Sequence, residues 1–165
     1  MSVVALVAAA AVAAAAPTQV VHPDGRVGPF RIGVTTKAQL LTALGAPRKT
    51  VPVENKSGAR VGVRLAYSCG TSCDTVYSFR EPEGRLTDFA SASRAFRTER
   101  GAHVGMSSLL AGELEGKPVV RACGQGKAIH VRRDATHDLA LAVFSGRVTI
   151  LAYLGPRTTY GKAFC

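Results

Sequence analysis

One stretch of this chain is written twice. Arg31-Ile32-Gly33-Val34-Thr35-Thr36-Lys37-Ala38-Gln39-Leu40-Leu41-Thr42-Ala43-Leu44-Gly45-Ala46-Pro47 encodes a short helix with both of its ends. Thr35 or Thr36 can cap the first turn, because a hydroxyl accepts a hydrogen bond from a backbone N–H that has no partner inside the helix. Leu40, Leu41 and Leu44 fall at helical spacing and predict one apolar stripe. Gly45 permits a left-handed closing conformation, and Pro47 stops continuation. The pattern returns as Val104-Gly105-Met106-Ser107-Ser108-Leu109-Leu110-Ala111-Gly112-Glu113-Leu114-Glu115-Gly116-Lys117-Pro118. A second match lies downstream, where Gly84-Arg85-Leu86-Thr87 corresponds to Gly146-Arg147-Val148-Thr149. Two separate points of self-similarity predict a structural unit repeated in tandem.

Between these landmarks the chain reads as strands. Residues 60–67 alternate, with Val61, Val63, Leu65 and Tyr67 on one face, and strands follow at 75–79 and 85–90. In the second copy 127–132 alternates, 139–144 is a continuous apolar run, Ser145-Gly146 makes a two-residue hairpin turn, and 147–154 is the last strand. One short helix on a three-stranded ladder buries too little alone. The expected fold is therefore α+β: two tandem units, each a short helix followed by about three antiparallel strands, sharing one sheet with both helices on one face. The units span 27–92 and 93–165, after a flexible lead-in over 17–26. The other sheet face would be open and half-solvated, a ready binding surface.

Residues 1–16 are apolar, uncharged and alanine-rich, and end at Ala14-Ala15-Ala16-Pro17. They read as a secretory signal peptide, or as an N-terminal anchor since no Lys or Arg precedes the apolar run. The segment is shorter than the roughly 20 residues of a spanning helix, so no spanning segment is expected in the mature chain. Four cysteines after such a segment read as two disulfides in a secreted protein. Cys69 with Cys73 and Cys123 with Cys165 is the pairing chosen, since Cys69 and Cys73 flank the turn Gly70-Thr71-Ser72 between two strands. A metal site on Cys69, Cys73 and a histidine is the rival reading, but the spacing is not that of a zinc finger.

No motif for catalysis, nucleotide binding or a cofactor is present. Gly124-Gln125-Gly126-Lys127 precedes a strand, not the helix a phosphate cradle needs. His137-Asp138 is the one pair that suggests acid–base work. The formal net charge is +10, and arginine supplies most of the cations. Such a balance favours anionic partners. With no Trp, six Phe and four Tyr, few aromatics are available to stack on bases, which argues against nucleic acid.

The pattern Gly-x-Thr-x-x-x-Leu-x-x-x-Leu-Gly-x-Pro and its second copy resemble the β-lactamase inhibitory protein superfamily and the small lipoprotein of the outer-membrane β-barrel assembly machinery. The resemblance implies a short helix leading into an antiparallel sheet, and for the inhibitor a target held on an aromatic-rich concave sheet face. This chain instead carries Arg60, Arg64, Arg80, His130 and Arg132 on its expected outer face. The functional expectation is a secreted, non-enzymatic module that engages an acidic protein through that face. The alternative is a charge-driven binder of an anionic envelope polymer; β-lactamase-type inhibition and enzymatic activity rank below both.

Overall fold

The computed structural model describes residues 18–116, 118–123, 125–133 and 137–155, with backbone alone at 132 and 133. In chain order the elements are β1 (Gln19–Val21), β2 (Arg26–Val27), β3 (Phe30–Arg31), α1 (Lys37–Leu44), β4 (Lys49–Glu54), β5 (Arg60–Gly70), β6 (Cys73–Arg80), β7 (Arg85–Ser91), β8 (Phe96–Thr98), α2 (Ser108–Glu115), β9 (Val119–Cys123), β10 (Gly126–Arg133), β11 (Asp138–Phe144) and β12 (Arg147–Leu154). The large sheet is antiparallel, in the order β4-β5-β6-β7-β12-β11-β10-β9. A smaller sheet runs β3-β2-β1-β8, with β1 parallel to β8.

This architecture overturns the expected α+β class. The described chain is mostly β, with two sheets of four and eight strands and two helices of eight residues each. Two-turn helices do not make a layer: α1 buries Leu40 alone, and α2 buries Ala111 and Glu115. The anticipated leucine stripe is mostly at the surface, with Leu44, Leu109, Leu110 and Leu114 exposed. Each half places four strands in the large sheet instead of three. The additional ones, β4 and β9, are its edges. β9 shows no alternation, and β4 holds Pro52, which an edge strand tolerates because one side of it needs no donor. The stretch anticipated as a lead-in carries β1 and part of β2, with Val21 fully buried. The signal or anchor at 1–16 lies outside the described residues.

The main core lies under one face of the large sheet. Val63, Leu65, Phe79, Leu86, Leu141 and Leu151 point into it, together with Leu40 and Ala111 of the helices. A chain of aromatic contacts ties the two sheets: Phe30 to Tyr77 at 5.6 Å, Tyr77 to Phe89 at 5.5 Å and Phe89 to Phe96 at 4.8 Å between ring centres. The opposite face is not open over its middle. Ala90, Ala128, Ala140, Ala142, Ala152 and Leu154 form a second buried cluster there, each at 8% exposure or less.

The same hydrogen-bonding scheme holds each helix start to the last strand of its half. Gly33 N–H donates to the Leu86 carbonyl (2.7 Å), Leu86 N–H to Thr35 (2.8 Å) and Lys37 N–H to Gly84 (2.9 Å). In the second half Gly105 donates to Val148 (2.8 Å), Val148 to Met106 (2.9 Å) and Ser108 to Gly146 (2.8 Å). A register shift follows Ser78 in the β6–β7 ladder and Ala142 in the β11–β12 ladder. Thr87 and Thr149 hydroxyls each donate across it, to the carbonyls of Ser78 and Ala142, both at 3.2 Å.

Candidate functional site

The first half holds a cleft of about 190 Å³ with a mixed lining, to which Ile32, Val53, Val61, Phe79 and Leu86 contribute apolar groups. Gly62, Arg64, Ser78, Arg80, Asp88 and His137 contribute to its lining. The register explains the grouping. Arg64 of β5 stands directly opposite Ser78 of β6, Gly62 stands opposite Arg80, and Asp88 of β7 flanks Ser78 from the other side. Residues two apart on a strand share a face, so Ser78 and Arg80 project together. Gly62 is required by the tight strand approach, since a Cβ there would lie 2.4 Å from the Phe79 carbonyl oxygen.

The electrostatics of the cleft are lopsided. Asp88 is buried, and its carboxylate accepts from the Gly155 N–H (2.7 Å) and the Thr87 hydroxyl (2.9 Å). Arg80 is exposed and makes no ion pair with any described residue. Ser78 is 6% exposed, and its Oγ has no hydrogen-bond partner. A buried hydroxyl without a partner is uncommon, because desolvation is not repaid by a bond.

The second half supplies an internal comparison. Its equivalent cavity, about 230 Å³, is lined by Gly126, Ala142, Val143, Phe144 and Thr149 among others. Gly126 repeats the close approach, with a Cβ there lying 2.6 Å from the Val143 carbonyl oxygen. Ala128 stands opposite Ala142, where the first half has Arg64 opposite Ser78. Ile150 holds the place of Asp88, and Phe144 that of Arg80. Glycine, threonine and backbone bonds recur, while Arg64, Ser78, Arg80 and Asp88 give way to Ala128, Ala142, Phe144 and Ile150.

The expected contact residues divide accordingly. Arg64 and Arg80 meet in the cleft. Arg60 lies at the start of β5 and pairs with Glu81 at 2.7 Å. His130 is withdrawn from the surface at 3% exposure, with Nδ1 bonded to the Asp138 carboxylate at 2.8 Å. Arg132 lies in β10 beyond a bulge, opposite Leu139. His137, paired with Asp138 in the sequence reading, instead lines the cleft and packs its ring 5.4 Å from Tyr153. Cys69 and Cys73 form a disulfide. Cys123 ends β9 half-buried, and its expected partner Cys165 lies outside the described residues. Sequence reasoning missed Ser78, Asp88 and Gly62. The signal was available in the paired glycines at 62 and 126, which align the two copies and expose Ser78 against Ala142.

Among the described residues, no three His, Cys, Asp or Glu side chains stand close enough to hold a metal ion, and no helix is long and apolar enough to cross a membrane. No family model matches the chain, and no curated protein matches it. Among solved structures the chain is similar to an extracellular protein containing a SCP domain from Bacillus anthracis, at 8% identity and a TM-score of 0.47. That match covers 73% of this chain and 43% of the other. A likeness so distant leaves fold and function to this chain's own residues.

Proposed function

We propose that this chain is an exported, non-enzymatic binding module that holds an acidic protein partner against the Arg64–Arg80 cleft. The supporting observation is an exposed arginine, Arg80, that makes no ion pair with any described residue, in the cleft whose lining includes the buried and unpartnered hydroxyl of Ser78. A net charge of +10 adds long-range attraction for an acidic surface. Export is supported by the apolar leader at 1–16 and by the Cys69–Cys73 disulfide, a bond that persists in oxidising compartments. The glycine, leucine and proline resemblance to the β-lactamase inhibitory protein superfamily supports protein binding as a role. An aromatic binding face does not support it, because Phe30, Tyr77, Phe89 and Phe96 are buried in the core.

The test is capture of envelope and extracellular protein on the immobilised chain and on its R64Q/R80Q variant, at low salt and at about 0.5 M, where exposed charge contacts are largely screened. One protein held at both salts in fixed stoichiometry, and released by the double substitution, supports the reading. Heterogeneous material that washes off at the higher salt equally from both forms overturns it in favour of charge-driven binding to an anionic polymer.

A further inference from the structure

We propose that residues 156–165 are a strap laid across the alanine face of the large sheet and closed by a disulfide between Cys123 and Cys165. The floor of this site is in view. Ala128, Ala140 and Ala152 are 0% exposed, and Ala90, Ala142 and Leu154 at most 8%. His130, two residues from Ala128 and so on the same face of β10, is 3% exposed. Every member of this cluster comes from the large sheet. The helices and the small sheet pack into the main core on the opposite face, through Leu40, Ala111, Val21, Val27, Phe30 and Phe96. An alanine projects a single methyl group, and neighbouring strands stand about 4.8 Å apart, so a floor of alanines does not shade itself from solvent. A further layer of chain has to lie on it.

Both ends of the segment are fixed on this face. It follows Gly155, whose N–H is held at 2.7 Å by the carboxylate of Asp88, two residues from Ala90 on the same side of β7. At the other end Cys123 packs against the alanine cluster and is disulfide-bonded. Cys69 and Cys73 are bonded to each other, which leaves Cys165 among the four cysteines of the sequence. Register sets the distance to be crossed. Leu154 stands opposite Asp138, and Cys123 stands opposite Gly126, beside the Lys127–Val143 pair. The two points are three strand spacings apart, about 15 Å, and most of the length of β11 apart, about 20 Å, or about 25 Å in all. Ten residues reach at most about 33–36 Å. That is enough to cross the face on its diagonal, over Ala152, Ala140, Ala142 and Ala128, and too little to pass round the edge of the sheet. The segment brings Tyr160 and Phe164, large flat apolar groups that complement a floor of single methyls. The strap also gives a reason for the contrast between the halves. Ala128, Ala142 and Ile150, in place of Arg64, Ser78 and Asp88, line the second half for its own chain.

The test is NMR of the full chain carrying ¹³C-labelled alanine methyls, with and without a soluble gadolinium chelate. The methyls of Ala128, Ala140 and Ala152 should show nuclear Overhauser contacts to residues 156–165. They should be relaxed by the chelate as little as those of Ala102 and Ala111, which are 0% exposed in the main core, and several-fold less than that of the exposed Ala43. Truncation after Gly155, combined with C123S, should raise their relaxation several-fold towards that of Ala43, while Ala102 and Ala111 stay protected and so report an intact fold. If the truncated chain fails to fold, the contacts in the full chain decide, together with a non-reducing tryptic map in which the Cys123 peptide should be joined to the Cys165 peptide. A free Cys123, a Cys123 bonded between two chains, methyls relaxed like Ala43 in the full chain, protection unchanged by truncation, or contacts to residues 1–16 in place of 156–165 would each overturn the strap.

Discussion

Arg147 donates from its guanidinium to the carbonyl of Gly105 at 2.9 Å, and so ties the hairpin of the second half to the turn that opens α2. Arg85 does the same for Gly33 at 3.3 Å in the first half. The two arginines open β7 and β12, which pair antiparallel through Phe89 and Tyr153. They therefore stand at opposite ends of that pair, about 30 Å apart at a strand rise of about 3.3 Å per residue. R85A and R147A should each lower stability by about 1 kcal/mol, the net value of one exposed charge-assisted bond. At that separation their effects should add in the double variant. Urea unfolding of the three variants checks this, and strong non-additivity would mean the two ties are coupled through the sheet.

The helix caps differ between the halves in one testable respect. Thr36 and Ser107 both accept from the third helical N–H, at 3.2 and 3.3 Å. In α1 the Gln39 side chain also accepts from the Thr36 N–H at 2.9 Å, which completes a capping box. In α2 the matching residue is Leu110, which cannot. T36A and S107A should each cost about 1 kcal/mol. Q39A should cost a further few tenths in α1, and L110Q should recover a similar amount in α2. No gain on L110Q by thermal melting would count against the reciprocal box.

The landmarks visible in the sequence were those fixed by backbone conformation. Ser145 and Gly146 both have positive φ, 49° and 75°, as a two-residue hairpin turn requires. The caps Thr36 and Ser107 are likewise local, and Cys69 and Cys73 bridge across a turn that the sequence marks. What the sequence did not show is long-range. β1 pairs with β8 across most of the first half, a contact with no local pattern. The leucines misled, because a helical stripe predicts burial only if a second layer meets it, and these helices sit at the sheet ends. The cleft was half legible: alternation placed Arg64 and Arg80 on one face, but only pairing register puts Ser78 between Arg64 and Asp88.

The leucines give the sharpest contrast between pattern and packing. Leu40 is fully buried against the core, while Leu109, at the start of α2, is 74% exposed. L40A should cost about 2–5 kcal/mol through lost burial and the cavity left behind. L109A should stay within about 0.5 kcal/mol of the parent. Denaturant midpoints of the two variants decide the matter, and a loss at L109A comparable to that at L40A would place that leucine in a packed interface.

Glu115 is the carboxyl whose burial should be felt as a pH dependence. It closes α2 at 6% exposure, accepts from the Thr98 hydroxyl, and has Arg100 bonded to its own backbone carbonyl at 2.8 Å. Burial pushes its pKa up, and the Thr98 bond and the Arg100 charge only partly oppose this. The sign follows from proton counting. As pH rises past the ordinary carboxyl range, the unfolded chain releases this proton before the folded one does, so the folded state holds more protons and its stability falls. The loss is complete once the pH exceeds the raised folded value. E115Q keeps an acceptor for Thr98 but cannot ionise. It should therefore be more stable than the parent at pH 7, with the gap narrowing as the pH falls from the raised folded value towards the ordinary carboxyl range at about 4, and constant below it. Urea unfolding of both forms from pH 4 to 7 reads this directly, and a parent that gains on E115Q as pH rises would show that the charged form is the favoured one in the folded state.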